Sequence, residues 1–576
     1  MKSGSGWGLD FVFLALCAGA LFAFQLGDRA LWSPDEGRYA EVAREMVVSG
    51  DYVTPRLEGV KFFEKPPLFY WLQSAAIRLF GVNEWALRLW PALFAVLGCL
   101  AVYVGGRKFF DRRTGSIAAA VLATSGLYYA MSRVANLDMG LTTLLSAALL
   151  SFLAGTRSPP GHHRRAAMAA FFGLIALAVL DKGLIGVVLP ALIITTWVAL
   201  TGEWRILKTL HLPSGLFLFT AVAAPWHILA ARANPEFFYF YFVREHFQRF
   251  LYKNGPLDHP WTFAPVLLIG LFPWTVFLFQ ALRYNLQDPP ASRRNETVFF
   301  LVWAGWVFLF FSLSSSKVVP YILPMFPALA ILLGRYLSAA WERPVLPGIG
   351  PGLWAFVCAA LVIAAFGLKG PQHYLERYSN WPDLEVPHDE ATIPSTSSEA
   401  YPDLAPLKPY LAAQGVILIT GALAAVYLRR RKGLSWAVPV LAASSALFLV
   451  VLNSSLPIFD ERRSVKDLAL ALKPRLTSAD EVASYHAYYQ DLPLYLQRRV
   501  TQVGWIEPFE LWEEDRNQRA DDEGTFWQRW NGPATIYILT DRDEYDKLRS
   551  DAKDKIFLVA QTDYDVMLSN RPWTAQ

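Results

Sequence analysis

Apolar positions along this chain gather into long unbroken runs, and the short alternations of a water-soluble fold are confined to its last fifth. Runs of roughly 17 to 25 apolar residues, enough to cross an about 30 Å hydrocarbon core, recur about thirteen times, near 9–27, 86–106, 114–131, 137–155, 166–182, 184–201, 212–231, 262–282, 297–315, 319–338, 350–369, 410–428 and 434–452. The first run follows one lysine and leads into Gln25-Leu-Gly-Asp-Arg29 with no small-residue cleavage site, so it reads as a membrane helix and not as a signal peptide. Between the runs, the segment of about 28–85 is amphipathic and charge-mixed. The segment 234–259 interleaves aromatic and charged residues, as suits a helix lying in the bilayer interface. Residues 370–409 are rich in proline and serine and read as an irregular loop. From 460 to 576, strand-like runs such as Thr535 to Leu539 and Ile556 to Ala560 alternate with polar helical stretches. The pattern predicts an all-α membrane domain over 1–459, including 28–85 and 234–259 on its outer face, followed by a soluble α/β domain over 460–576.

Composition agrees: 54% of the 576 residues are hydrophobic and 15% aromatic, too apolar for a single domain facing water on all sides. The formal charge of +4 has no arginine or lysine block of the size that binds nucleic acid. Each of the three cysteines, Cys17, Cys99 and Cys358, sits inside an apolar run as a small hydrophobe, so no disulfide framework is implied. Basic residues fall in alternate loops, among them Arg107 to Arg113, Arg157 to Arg165, Arg205 and Lys208, and Arg429 to Lys432. The positive-inside rule puts these loops in the cytoplasm, with 28–85, 234–259 and the C-terminal domain opposite.

Charged residues at the outer ends of the helices are the candidates for chemistry, because a charge held at membrane depth is costly and calls for a function. In Ser33-Pro-Asp-Glu-Gly-Arg-Tyr39, Ser33 as N-cap, Pro34 at N1 and Glu36 closing a capping box would start a helix. Asp35, Arg38 and Tyr39 then share one face; Asp35 and Glu36 equally suit a plain helix-dipole role. Glu64 and Lys65 stand between two phenylalanines and two prolines, a rigid pair for a charged headgroup or a structural salt bridge. Arg133 and Asp138 flank the fourth run, Lys182 follows Asp181 in a short turn, and Lys317 and Tyr321 share one loop. Arg133 and Lys317 are also placed to snorkel to the interface. His246, in Arg244-Glu-His, has no second histidine at metal-ligand spacing, so no metal is required; a divalent site at Glu64 and His246 is the one metal reading the residues allow. No phosphate-binding glycine loop is present, which leaves nucleotide-driven chemistry without support.

Taken in order, Ser33 to Tyr39, Glu64 to Leu68, Arg133 to Asp138, Asp181 to Gly183, Arg244 to His246 and Lys317 to Pro324 resemble the signatures of the bacterial lipid A aminoarabinose transferases, within the GT-C glycosyltransferases that also include protein O-mannosyltransferases. The resemblance implies a GT-C helical bundle and transfer of 4-amino-4-deoxy-L-arabinose from undecaprenyl phosphate to a lipid A phosphate. It also implies a periplasm-facing site in the bacterial inner membrane, and polymyxin resistance. It makes Asp35 essential and lines the cavity with Glu64, Lys65, Asp138, Lys182 and Tyr321; Arg38, Tyr39, Arg133, His246 and Lys317 are further substrate-binding candidates. No cofactor is required beyond the divalent cation already considered. The competing enzyme reading is a protein O-mannosyltransferase or another polyprenyl-phosphate sugar transferase on the same scaffold.

Overall fold

The structure, a computed structural model, describes residues 7–248, 251, 259–287, 294–342, 405–432, 434–504, 520–521, 523–551 and 556–573. The expected span at 350–369, most of the 370–409 loop and part of the 234–259 segment lie outside the described residues. In chain order the helices are α1 (Trp7–Ala23), α2 (Asp35–Ser49), α3 (Leu68–Phe80), α4 (Glu84–Phe109), α5 (Arg112–Ala123), α6 (Gly126–Met131), α7 (Asp138–Thr156), α8 (His162–Lys182), α9 (Ile185–Thr201) and α10 (Leu212–Ala233). After them come α11 (Phe263–Gly270), α12 (Leu278–Gln287), α13 (Arg294–Leu313), α14 (Phe326–Glu342), α15 (Lys408–Lys432) and α16 (Leu434–Ser455).

Among the described residues seven helices are long and apolar enough to cross a membrane, or eight if the pair bent by 105° between Phe263–Gly270 and Trp274–Gln287 is one broken span. Two further apolar helices, α1 and α9, have 17 residues each. The run read at 114–131 is two helices, because Thr124 and Ser125 turn their hydroxyls back onto the carbonyls of Ala120 and Val121 and interrupt the ladder. Asp111 starts this pair: its side chain accepts the Thr114 N–H at 2.8 Å.

The chain divides into two compact units. The first holds residues 1–26, 88–374 and 404–455 and is the helical bundle. The stretch Val319–Ala340 is almost wholly buried and forms its centre, whereas Leu212–Ala233 is mostly exposed, as a lipid-facing helix is. Large aromatics fill the bundle beside α7, α9 and α13; Trp197 packs edge-on to Phe152 at 5.9 Å and to Phe299 at 5.3 Å.

The second unit joins residues 27–87 to 456–576. Its six-stranded sheet contains β3 (Glu481–Tyr485), β4 (Thr501–Val503), β5 (Ala520–Asp521), β6 (Ile536–Asp541), β7 (Phe557–Gln561) and β8 (Asp565–Ser569), after a small hairpin of β1 (Arg56–Leu57) and β2 (Val60–Lys61). The order is β5-β4-β3-β6-β8-β7, with β5 to β6 parallel and β8 and β7 antiparallel at one edge. Alternation along the strands divides the core: Val482 and Leu539 face α17 (Lys466–Leu472) and α18 (Leu492–Leu496), while Ala483, Tyr485 and Ile538 pack with Phe526 and Trp530 of α19 (Glu523–Trp530). The segment of about 28–85, grouped above with the membrane domain, therefore completes the fold of the C-terminal residues. Leu31, Ala40, Ala43 and Leu87 share one apolar cluster with Leu494.

One consequence is a pH dependence of this unit. Asp565, at the start of β8, accepts the Tyr489 hydroxyl at 2.7 Å, but burial outweighs that bond and pushes its carboxyl up to about 7. Between about pH 4 and 7 the unfolded chain releases this proton while the folded chain keeps it, so stability falls as pH rises through that window, by at most about 4 kcal/mol. Glu41, raised to about 7 chiefly by burial beside Arg44, adds a slope of the same sign. Protection factors for amide exchange on β6 and β8, taken relative to the intrinsic rate at each pH, should therefore be larger at pH 5 than at pH 7. Asp565→Asn should flatten part of that difference, and an unchanged slope in the variant would remove Asp565 from the explanation.

Candidate functional site

The candidate residues fall into two groups, one in each unit. In the bundle, α7 begins at Asp138, whose backbone N–H is received by the Asn136 side chain at 3.2 Å. The neighbouring α8 runs antiparallel to it and ends at Lys182, because Gly183 adopts a φ of +83° that a side chain would resist. The helix ends meet there, and the Lys182 ammonium donates to the Asp138 carboxylate while lying 4.7 Å from the centre of the Tyr321 ring. Three residues from three separate motifs thus form one contact set. Asp181 faces the other way, fully buried against Gly140, where an added Cβ would come within 3.0 Å of both its carboxylate oxygens.

His246 lies on a π-helical stretch, Tyr239–Gln248, and closes over the same turn. Its Nε2 accepts the Leu184 N–H at 3.2 Å and its Nδ1 donates to the Tyr241 carbonyl at 2.5 Å. Both ring nitrogens of His246 thus have backbone partners. Among the described residues no group of three or more histidine, cysteine, aspartate or glutamate side chains is arranged to hold a metal.

Arg133 and Lys317, expected to bind substrate, both reach backbone carbonyls here. Arg133 donates to the carbonyls of Phe22, at 2.9 Å, and Phe24, and to Asn453 at 2.8 Å. It satisfies carbonyls at the end of α1 that the helix cannot use. Lys317 is buried and donates to the Ser314 carbonyl at 2.6 Å, just past the end of α13. A cation near a helix C-terminus is locally sufficient reason for both, and nothing in a linear sequence separates this from ligand binding.

In the second unit, α2 carries Asp35, Arg38 and Tyr39. The helix starts as expected in place but not in chemistry. Ser33 makes no cap; its hydroxyl donates to Asp491 at 2.7 Å, and Pro34 occupies the capping position. Glu36 instead accepts the Trp32 N–H and the Arg29 guanidinium, both at 3.0 Å, and so pins the turn before the helix. Arg38 and Tyr39 are buried, Tyr39 with its ring 6.2 Å from Phe69 and 6.1 Å from Tyr70. Asp35 is half-buried. Glu64 and Lys65 form an ion pair at 3.5 Å, with Glu64 buried and Lys65 partly exposed.

The residue that sequence reasoning missed is Asp491. Its buried carboxylate receives the hydroxyls of Ser33 and Ser464 at 2.7 Å each and the Val465 N–H at 2.9 Å; burial raises its pKa despite these donors. Gly37 is its signature, since a Cβ at that position would lie 2.6 Å from the Asp491 backbone nitrogen. A glycine inside an otherwise good helix was the available hint.

A family model for dolichyl-phosphate-mannose-protein mannosyltransferase matches residues 20–241. The undecaprenyl phosphate-alpha-4-amino-4-deoxy-L-arabinose arabinosyl transferase of Edwardsiella ictaluri is 31% identical over 379 residues, covering 64% of this chain and 67% of that protein. The corresponding transferase 1 of Proteus mirabilis is 34% identical over 344 residues, and this chain spans only 60% of its length. That of Pectobacterium carotovorum is 29% identical over 568 residues, 94% of both chains. The crystal structure of ArnT from Cupriavidus metallidurans bound to undecaprenyl phosphate matches with a TM-score of 0.83 at 28% identity, over 99% of each chain.

Proposed function

The chain belongs to the undecaprenyl phosphate-aminoarabinose arabinosyl transferase family, and from that premise we propose that it moves 4-amino-4-deoxy-L-arabinose from undecaprenyl phosphate to a lipid A phosphate, with inversion, at the periplasmic face of the inner membrane. The observation that carries the reading is the Asp138, Lys182 and Tyr321 contact set at the ends of membrane helices. An undecaprenyl-phosphate-bound relative of the same fold across nearly the whole chain supports the donor. The acceptor follows the names of the relatives, and polymyxin resistance is the expected phenotype of the product.

In the reaction a lipid A phosphate oxygen attacks the anomeric carbon as the bond to the donor phosphate breaks, and the electron pair stays on undecaprenyl phosphate. That leaving group needs no proton at neutral pH; it needs positive charge where its own charge grows, in a site poor in water. Lys182 supplies such a charge, preorganised by Asp138. The sugar's ammonium in turn pairs with a carboxylate, and Asp138 is the one already in the bundle beside Lys182. Asp35, Glu64 and Lys65 keep their catalytic assignment through the family motifs, Asp35 as the group that orients the acceptor or receives its remaining proton. Lysine cations carry the charge stabilisation, so the scheme requires no metal.

If Asp138 binds the sugar amine, Asp138→Asn should raise the apparent KM for donor by more than tenfold while lowering kcat less; the reverse split would take that role away from it. The test of the function itself is mass spectrometry of lipid A from a transferase-deficient, polymyxin-sensitive bacterium carrying this chain. Added aminoarabinose with the wild type, and none with Asp35→Ala or Lys65→Ala at equal expression, is the expected result. Unchanged lipid A with donor present and protein folded would redirect the search to protein acceptors, as in the mannosyltransferases that share the scaffold.

A further inference from the structure

Tyr241 is fully buried, yet its hydroxyl has no hydrogen-bond partner among the described residues. The ring itself is well packed, stacked on Phe237 at 5.1 Å and edge-on to Trp226 at 6.2 Å. A buried phenol ordinarily finds a partner, and one left without carries a desolvation cost that a phenylalanine in the same packing would not. The transfer reaction as derived above makes no use of this group.

Its surroundings indicate what it is for. The hydroxyl lies 2.9 Å from where a Cβ on Gly183 would stand, and His246 Nε2 comes closer still to the same point. The π-helical register of Tyr239–Gln248, whose backbone bonds span five residues, brings the two rings together: their centres are 4.7 Å apart, and His246 Nδ1 donates to the Tyr241 carbonyl. The Leu184 N–H, at the N-terminus of the 17-residue α9, donates to His246 Nε2 beside the same turn. Lys182 immediately precedes Gly183. A phenol O–H and a backbone N–H therefore converge where the positive end of a helix and a lysine both favour negative charge, and His246 Nε2 stands in the acceptor's place for one of them.

We propose that this turn binds a phosphate oxygen of a substrate lipid, which displaces His246 Nε2 from the Leu184 N–H and accepts the Tyr241 O–H. The inference rests on the transfer reading, which brings a donor phosphate and an acceptor phosphate into the bundle; it adds Tyr241 as a binding residue and His246 as the group that gives way. The exchange runs toward the ligand because an ionised phosphate oxygen accepts a stronger hydrogen bond than a neutral imidazole nitrogen. If the oxygen is the donor's, the phenol bond strengthens as the leaving phosphate gains charge.

The test follows Tyr241 directly. The purified full chain, carrying 3-fluorotyrosine at position 241, is titrated with undecaprenyl phosphate, with lipid A and with undecaprenol, and the fluorine resonance is recorded. A shift with one of the two phosphate lipids and none with undecaprenol is expected, and the lipid that produces it names the source of the phosphate. Tyr241→Phe should weaken binding of that lipid by about ten- to hundredfold, the worth of one hydrogen bond to a charged group, while the melting temperature stays level or rises because the orphan hydroxyl is gone. His246→Ala frees the Leu184 N–H beforehand and should bind the same lipid at least as tightly as the wild type; weaker binding would make His246 a ligand and overturn the displacement. An equal shift with undecaprenol, or wild-type affinity in Tyr241→Phe, would overturn the site, and a lower melting temperature with unchanged affinity would assign the hydroxyl to packing. If neither phosphate lipid binds the wild type, the transfer reading falls together with this one.

Discussion

Lys182→Ala should lower sugar transfer by about 100- to 1000-fold, the loss seen when one preorganised electrostatic contact to a transition state is removed. The structure gives two reasons. The ammonium is held at the mouth of a short turn by Asp138 and the face of Tyr321, so it is in place before substrate arrives. Its removal also strands the Asp138 carboxylate, which is 7% exposed, without that counter-ion. The two effects separate in a cycle: Asp138→Ala combined with Lys182→Ala relieves the stranded charge and should recover expression and thermal stability, yet it should not recover transfer. Lys182→Arg keeps the charge but exchanges a compact point donor for a wide planar fork, and intermediate activity is expected. Transfer by Lys182→Ala within threefold of the wild type would end the phosphate role proposed for this residue.

The second large effect is expected at a residue with no assigned part in the chemistry. Asp491→Ala removes the acceptor of three buried donors, from Ser33, Ser464 and Val465. Three bonds at about 1 kcal/mol each, with buried donors left unsatisfied, should destabilise the second unit by about 3 kcal/mol or more. The loss should appear as faster amide exchange in α2 and β3 while the bundle helices keep their protection. Asp491→Asn retains one accepting oxygen and should fall between. Because α2 carries Asp35, transfer should drop with the same ranking, and unchanged exchange in α2 would show that Asp491 does not hold this helix.

These two residues mark what the sequence disclosed and what it did not. Lys182, Asp138 and Tyr321 were legible because each is a polar residue at the border of an apolar run, where the cost of burial argues for a purpose. The α/β character of the last residues was legible from alternation, and the strands read at 535–539 and 556–560 lie within two residues of β6 and β7. Asp491 was not legible, because its partner Ser33 is 458 positions away and neither residue breaks a local pattern. Ser33 looked like a helix cap for the same reason: local rules offered a use for the hydroxyl, and a distant carboxylate took it. Arg133 and Lys317, whose charge at a membrane border was read as ligand binding, also meet carbonyls at the ends of α1 and α13, a pairing between distant or looped residues that no linear pattern announces.

The second unit is discontinuous in the chain, and that has a bearing on how the protein is made. Residues 27–87 leave the ribosome early, but the strands and helices that complete their fold begin at residue 456. At about 5–20 residues per second, the helix bearing Asp35 waits on the order of tens of seconds for Asp491, while the intervening bundle is inserted. Premature release of the nascent chain anywhere before β3 should leave a bundle in the membrane with residues 27–87 unpartnered, so a late stop codon should be as damaging to transfer as an early one.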